Sequence, residues 1–294
     1  NSCWAIVDSA SRQVENQYDM HPRLATIKTE IVSLVPREPA DGKYDSLQQL
    51  NLVLHATGMD TALRVPIRTV PDSSKSVQVG PVQRTCPAYA EDEGEAAAAW
   101  LTQHLNKELK DGDEKKQFRL VWIPPGGGRI LAKDPRYGPL MAPTDSTAFA
   151  DTAQLHITNS ASLVALNTQL EKQGSSPVGM DRFRCNIVVG GGEVQPWEED
   201  HWRCVAFQNS IKFRVCMPDL RCNVTTISQS GPTAGRRDPE GEPLKTLKIL
   251  RRCELRRGAV FGVKLNIIKG SSGAVIRVGD PFSVTSRTRE SMMA

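Results

Sequence analysis

A cysteine that follows an arginine at the end of an apolar, alternating run is the residue of this chain best placed for chemistry. Cys222 closes the stretch Val215-Cys216-Met217-Pro218-Asp219-Leu220-Arg221-Cys222. Ile211, Phe213, Val215 and Met217 alternate with Lys212, Arg214 and Cys216, the pattern of a half-buried strand. The spacing predicts a sharp break at Pro218-Asp219 and a second strand over Asn223 to Ile227, which sets Cys222 in a strand–loop–strand junction. A guanidinium beside a loop thiol favours the thiolate, a nucleophile and a soft ligand for metals that take sulfur. The competing role is that of a small buried hydrophobe. A second pair lies upstream, in Arg182-Phe183-Arg184-Cys185-Asn186. On an extended chain Arg184 and Asn186 share one side, because side chains alternate. An arginine fork beside an amide that both donates and accepts suits an anionic, hydrogen-bond-rich ligand. The ordinary use of the same residues is a salt bridge and a turn cap.

Other signals are weaker. The glycine triplets Gly126–Gly128 and Gly190–Gly192 fit neither GxxxxGK[ST] nor GxGxxG, so a nucleotide loop is not supported. His21, His55, His104, His156 and His201 are scattered, with no HxxxH spacing, and read as surface or packing residues. The pairs Arg236-Arg237, Arg251-Arg252 and Arg256-Arg257 lack interleaved aromatics, which argues against nucleic-acid binding. Seven cysteines (Cys3, Cys86, Cys185, Cys204, Cys216, Cys222, Cys253) show no CxxC pair, so reduced thiols in an intracellular compartment are expected. No apolar run of about 18 residues is present, so no membrane-spanning helix is expected in the chain.

The positioning elements come next. At 294 residues the chain has room for one large domain or two moderate ones. Short runs with frequent turns fill residues 1–90: Trp4 to Val7, Leu24 to Val35, Leu50 to His55 and Leu63 to Ile67, separated by Pro36, Pro39, Gly42, Pro71, Asp72 and Gly80. Such a pattern favours a barrel or sandwich. Glu91 to Glu95 place negative charge at the start of a helix that continues through Ala96–Ala99, Trp100, Leu101, Leu105 and Leu109. A strand follows over Phe118 to Ile123, and Pro124-Pro125-Gly126-Gly127-Gly128 reads as a domain crossing. A second helix starts near Asn159-Ser160, carries Leu163, Leu166 and Leu170 on one face, and stops by Gly174. A buried strand is expected from Arg184 to Val189, a short helix from Glu242-Pro243-Leu244, and strands over Ala274 to Val278 and Phe282 to Val284. Charge divides unevenly. Residues 1–122 hold 14 basic and 17 acidic side chains, net −3, and residues 123–294 hold 23 and 16, net +7. A basic half can meet an anionic ligand or present a solvated face. The chain opens on Asn1-Ser2-Cys3-Trp4 with no initiator Met and no signal-like segment, which reads as a lost beginning.

In this order the motifs resemble the MOSC proteins, the molybdenum-cofactor sulfurase C-terminal domains and their relatives, including the mitochondrial amidoxime-reducing components. The resemblance rests on Trp4-Ala5-Ile6-Val7-Asp8 with Pro22-Arg23-Leu24, on Ala99-Trp100-Leu101, and on Asp151-Thr152, Ala161-Ser162-Leu163 and Leu166-Asn167. It continues through Phe183-Arg184, Asn186-Ile187-Val188, Pro218 with Arg221-Cys222, Glu242 to Leu247, Phe261-Gly262 and Val278 to Pro281. It implies a mainly β fold with some α: a MOSC N-terminal β-barrel-like domain over 1–122, truncated at its start, a MOSC β-barrel domain with flanking helices over 129–285, and a disordered tail over 286–294. The family's first strand, with its cofactor-contacting lysine and serine, is read as missing. Cys185 stands where relatives have proline, and Asp219 where they often have cysteine.

By resemblance, Cys222 is the catalytic thiolate ligand of the molybdenum in a molybdenum cofactor. Thr152, Arg184, Asn186 and Arg221 hold the pterin and its phosphate. The implied activity is an oxidoreductase that reduces small N-hydroxylated compounds, with electrons from a cytochrome b5-type protein and its reductase. The implied setting is intracellular, cytoplasmic or mitochondrial. Two alternatives stand beside it: a cofactor or sulfur carrier module of the sulfurase type, whose pyridoxal-phosphate desulfurase domain this chain lacks, and a cofactor-free interaction remnant.

Overall fold

The computed structural model describes residues 3–16, 22–33, 50–68, 70–82, 86–107, 109, 112, 114–134, 137–192, 194–208, 210–253, 258–268 and 275–293. Pro36, Pro39, Gly42, the pair Arg256-Arg257 and Ala274 lie outside them. The fold is mainly β with some α, as the many short runs implied. Two compact units divide it, residues 2–130 with 147–151, and residues 131–146 with 152–294.

The first unit contains β1 (Trp4–Asp8), β2 (Ile27–Ser33), β3 (Leu50–Ala56), β4 (Leu63–Pro66), β5 (Ser76–Val82), β6 (Cys86–Asp92), α1 (Glu95–Leu105) and β7 (Phe118–Trp122). One sheet runs β1-β7-β6-β5 and another β2-β3-β4. Helix α1 starts later than its acidic run suggested. Glu91 and Asp92 still belong to β6, where Arg119 grips Asp92 with Nε and Nη2 at 2.6 and 2.9 Å. Glu93 accepts from Trp4 Nε1 and Arg68, both at 2.9 Å. These carboxylates serve the sheet, and only Glu95 remains for the helix start. Trp100, Leu101 and Leu105 pack against Leu52, Leu54, Phe118 and Leu120 to form the core.

The second unit begins after the short strand β8 (Arg129–Ile130) and resumes after the short strand β9 (Ser146–Thr147). It contains β10 (Leu155–Asn159), α2 (Ser160–Lys172), β11 (Ile187–Val189), β12 (Trp202–Phe207), β13 (Ile211–Leu220), α3 (Leu244–Leu250), β14 (Arg252–Cys253), β15 (Gly258–Ile267) and β16 (Phe282–Arg287). Its sheet is ordered β11-β10-β15-β13-β12-β16, with β14 on β15. Among the described residues only β10 and β11 pair in parallel, joined through α2. Asn159 caps α2 as expected, its side chain accepting from the Ser162 N–H at 2.8 Å. Leu166, Leu170, Phe183, Leu247 and Phe261 form the core between helices and sheet, while Ile157, Trp202, Val205, Phe213, Val263 and Leu265 fill a second cluster.

Four expectations are corrected. β13 does not break at Pro218; it runs to Leu220, and register shifts after Val215 and after Pro218 carry the proline through the ladder. Asn223–Thr226 is a single-turn helix rather than a strand, because Thr225 donates back to the Cys222 carbonyl and Thr226 to that of Asn223. Residues 275–278 are not a strand; they lead into a turn in which the Arg277 N–H meets Asp280 at 2.6 Å. The stretch after 286, expected to be disordered, is tied down: β16 extends to Arg287, and the N–H groups of Thr288 and Met292 bond to His201 and Asp200.

Candidate functional site

Cys222 leaves the end of β13 as an exposed thiol and stands just ahead of the single-turn helix 223–226. Its carbonyl is held twice by Thr225, by the N–H at 3.1 Å and the hydroxyl at 3.0 Å, which settles the loop's direction at the cysteine. Arg184 is also exposed, but not on an extended strand. It ends the single-turn helix Met180–Phe183 with φ 51 and ψ 42. That left-handed conformation is strained for a residue with a Cβ and reverses the chain before β11. Arg184 and Asn186 therefore do not share a side by strand alternation. Asn186 is exposed, yet its amide oxygen accepts from the His156 N–H at 2.8 Å and its own N–H reaches the His156 carbonyl at 3.0 Å. It stitches the turn to β10 and so fixes where Arg184 stands.

Arg221 departs most from the sequence expectation. Its guanidinium points into the protein rather than outward. Nε donates to the Phe261 carbonyl at 3.1 Å, Nη1 to the Phe183 carbonyl at 3.0 Å, and Nη2 to His156 Nε2 at 2.7 Å, to the Phe261 carbonyl at 3.0 Å and to Asp219. The group also lies 5.9 Å over the Phe183 ring. Every guanidinium nitrogen is engaged within the fold, so Arg221 forms an internal brace. Thr152 is buried at 8% exposure. Leu155 faces Leu265 on β15 whereas Leu220 faces Val260, so the register carries Thr152 toward the opposite end of β15 from Cys222. The structure thus gathers Cys222, Arg184 and Asn186 around the Arg221 side chain and leaves Thr152 apart.

Three residues to which the sequence alone assigns no site role, Asp219, His156 and Lys264, complete this region. Asp219, 4% exposed, binds Arg221 and accepts Lys264 Nζ at 3.1 Å. Burial pushes its carboxyl up, but Arg221 and Lys264 outweigh burial and hold it below the usual carboxylate range. His156, also 4% exposed, is driven down to about 3 by burial and then by Arg221, so it remains a neutral acceptor near neutrality. Two cations, Arg221 and Lys264, share the Asp219 carboxylate here, which leaves this cluster net positive. Cys185, between Arg184 and Asn186, has its thiol pushed up to about 12 by burial and is inert packing. In the sequence, Asp219 stood out only as a departure from a family position, and His156 and Lys264 look like polar members of alternating strands.

Among the described residues no group of three or more His, Cys, Asp or Glu side chains could hold a metal ion. The protein offers one exposed sulfur donor here, and a metal seated on it must bring its other donors with it. An exposed thiol, an exposed arginine and a net-positive cluster fit an anionic cofactor that carries its own metal ligands.

Comparison with known proteins agrees with the resemblance. The model of the MOSC domain matches residues 144–283. This chain contains a MOSC domain. It is similar to mitochondrial amidoxime-reducing component 1 of Homo sapiens, 30% identical over 65% of this chain and 51% of that protein. It is similar to mitochondrial amidoxime reducing component 2 of Rattus norvegicus, 30% identical over 80% of this chain and 64% of that protein. The Macaca fascicularis component 2 is 34% identical over 65% and 51%. The MOSC chain thus spans about half to two-thirds of the length of these relatives. Cys222, Arg184, Asn186 and the Arg221 brace all lie inside the matched MOSC segment. Among the described residues no helix is long and apolar enough to cross a membrane.

Proposed function

We propose that this MOSC protein binds molybdenum cofactor and reduces small N-hydroxylated compounds, taking electrons from a cytochrome b5-type protein and its reductase. The observation that carries the reading is the placement of Cys222: an exposed thiol at the end of β13, on a loop that Arg221 and Arg182 tie to the turn carrying the exposed Arg184, with the net-positive Arg221–Asp219–Lys264 cluster attached to that loop. The names of the relatives supply the amidoxime-reducing chemistry and the mitochondrial setting, both proposals for this chain.

When bound, the cofactor would supply molybdenum chemistry that moves an oxygen atom and two electrons. The chain's own residues would hold and orient it. Cys222 would give the metal a thiolate. Arg184 would pair with the anionic part of the pterin through its fork, with Asn186 fixing the turn from which Arg184 projects. Arg221 would act from behind, by holding the two loops together.

The test is to express the chain where molybdenum cofactor is available and to assay metal and pterin, beside Cys222→Ala. We expect about one molybdenum per wild-type chain and loss of most of it in the variant. Wild-type protein free of both metal and pterin would overturn the proposal. Reduction of an N-hydroxylated amidine by the loaded protein then separates a reductase from a cofactor or sulfur carrier.

A further inference from the structure

Cys222 and Arg184 sit on two separate loops, and two arginines lace those loops in opposite directions. From the cysteine loop, Arg221 Nη1 reaches the Phe183 carbonyl at 3.0 Å, the peptide group that leads into Arg184. From the arginine turn, Arg182 Nη1 reaches the Thr225 carbonyl at 3.2 Å, in the single-turn helix that follows Cys222. Each loop thus donates to the other's main chain. Arg221 is fixed at its root by its own N–H to the Ala259 carbonyl at 2.8 Å and at its tip by Asp219 and His156. Arg182 is half-buried, and this one contact is the bond it spends on the other loop.

We propose that Arg182 and Arg221 are positioning residues that form a reciprocal clasp, setting the spacing between Arg184 and Cys222. The clasp is a property of this chain's own side chains. Its effect on cofactor retention rests on the function proposed above. The two arms differ in chemistry. Arg182 makes one donation, which a lysine ammonium can replace. Arg221 bridges two carbonyls, a carboxylate and an imidazole with a planar fork, which a lysine cannot replace.

Amide hydrogen exchange on the chain without cofactor tests this directly. Arg182→Gln is expected to speed exchange at Thr225 and Ile227 on the opposite loop by about tenfold or more, the effect of losing a charge-assisted hydrogen bond. Arg182→Lys should restore protection. Arg221→Lys should speed exchange at Arg184 and Asn186 as much as Arg221→Gln does. The amides of Leu166 and Leu265, in α2 and β15, serve as controls and should stay within about twofold of wild type. Unchanged exchange at Thr225 and Ile227 in Arg182→Gln would overturn the clasp. So would acceleration spread evenly over α2 and β15, which marks general destabilisation. In the loaded protein, Arg182→Gln and Arg221→Lys should each retain several-fold less molybdenum and pterin than wild type, while Arg182→Lys retains them. A wild type that takes up no cofactor would sink the function proposed above and leave the clasp to be judged by exchange alone.

Discussion

At the scale of single residues, burial decides which polar groups act outward and which act inward. Cys222 and Arg184 face solvent, whereas Arg221, one position from Cys222, is consumed by the fold. The sequence shows the two neighbours as equals, because nothing in a dipeptide tells which side chain a strand end turns inward. Glu199 makes the same point away from the site. It is fully buried, and its carboxylate accepts from Ser162 Oγ at 2.8 Å and from Asn159, while the nearby Arg251 is paired with Asp200 instead. Burial, with Asp200 adding to it, raises Glu199 to about 7 against an ordinary value of 4.5. The folded chain therefore binds more protons than the unfolded chain between these values, and Glu199 costs stability as pH rises through them. Its contribution is neutral below about pH 4.5 and reaches a destabilisation on the order of 3 kcal/mol above pH 7. Glu199→Gln, which keeps the shape without the charge, should flatten the fall in stability between pH 5 and pH 8. Urea unfolding at a series of pH values would reveal this, and an unchanged slope would refute it.

At the scale of elements, local signals located helices and strands well and their ends less well. Asn159 announced the start of α2 because an amide side chain accepts its own helix's N–H groups, and Gly174, with φ 77, ends it as expected. The acidic run before α1 misled because its carboxylates are matched to Arg119, Arg68 and Trp4, residues distant in the chain. Pro218 misled because its strand tolerates it through register shifts set by β15. β15 is also where the site is most exposed to a single substitution. Gly262 has φ 76, and a Cβ there would fall on His156 Nε2 and lie 2.6 Å from the Ile157 carbonyl. Gly262→Ala should destabilise the protein by about 3 kcal/mol or more, from backbone strain and from displacing the imidazole that Arg221 binds. The unfolding midpoint in urea measures this; a midpoint close to wild type would show that β15 can yield at Gly262.

At the scale of the whole molecule, the uneven charge is the feature that composition alone revealed. The net +7 of residues 123–294 belongs to the part that contains the MOSC segment, and part of it lies at the candidate site as Arg184, Arg221 and Lys264. Fixed positive charge speeds the approach of an anion and is screened as salt shortens the Debye length, from about 30 Å at 0.01 M to about 3 Å at 1 M. Uptake of cofactor by the empty chain should therefore slow several-fold across that range, as followed by pterin fluorescence in stopped flow. A rate independent of salt would argue that this charge has no part in uptake. The sequence by itself determined what composition and short-range pattern can encode: a mainly β chain, the cap and apolar face of α2, a basic second half, and motifs ordered as in MOSC proteins. Only the tertiary structure decided that Arg221 and Arg182 brace two loops, and that His156, Asp219 and Lys264 join Arg221 in one buried cluster. The physical reason is that alternation along a strand tells which residues share a face. Which buried charge meets which partner depends on strands paired from distant parts of the chain.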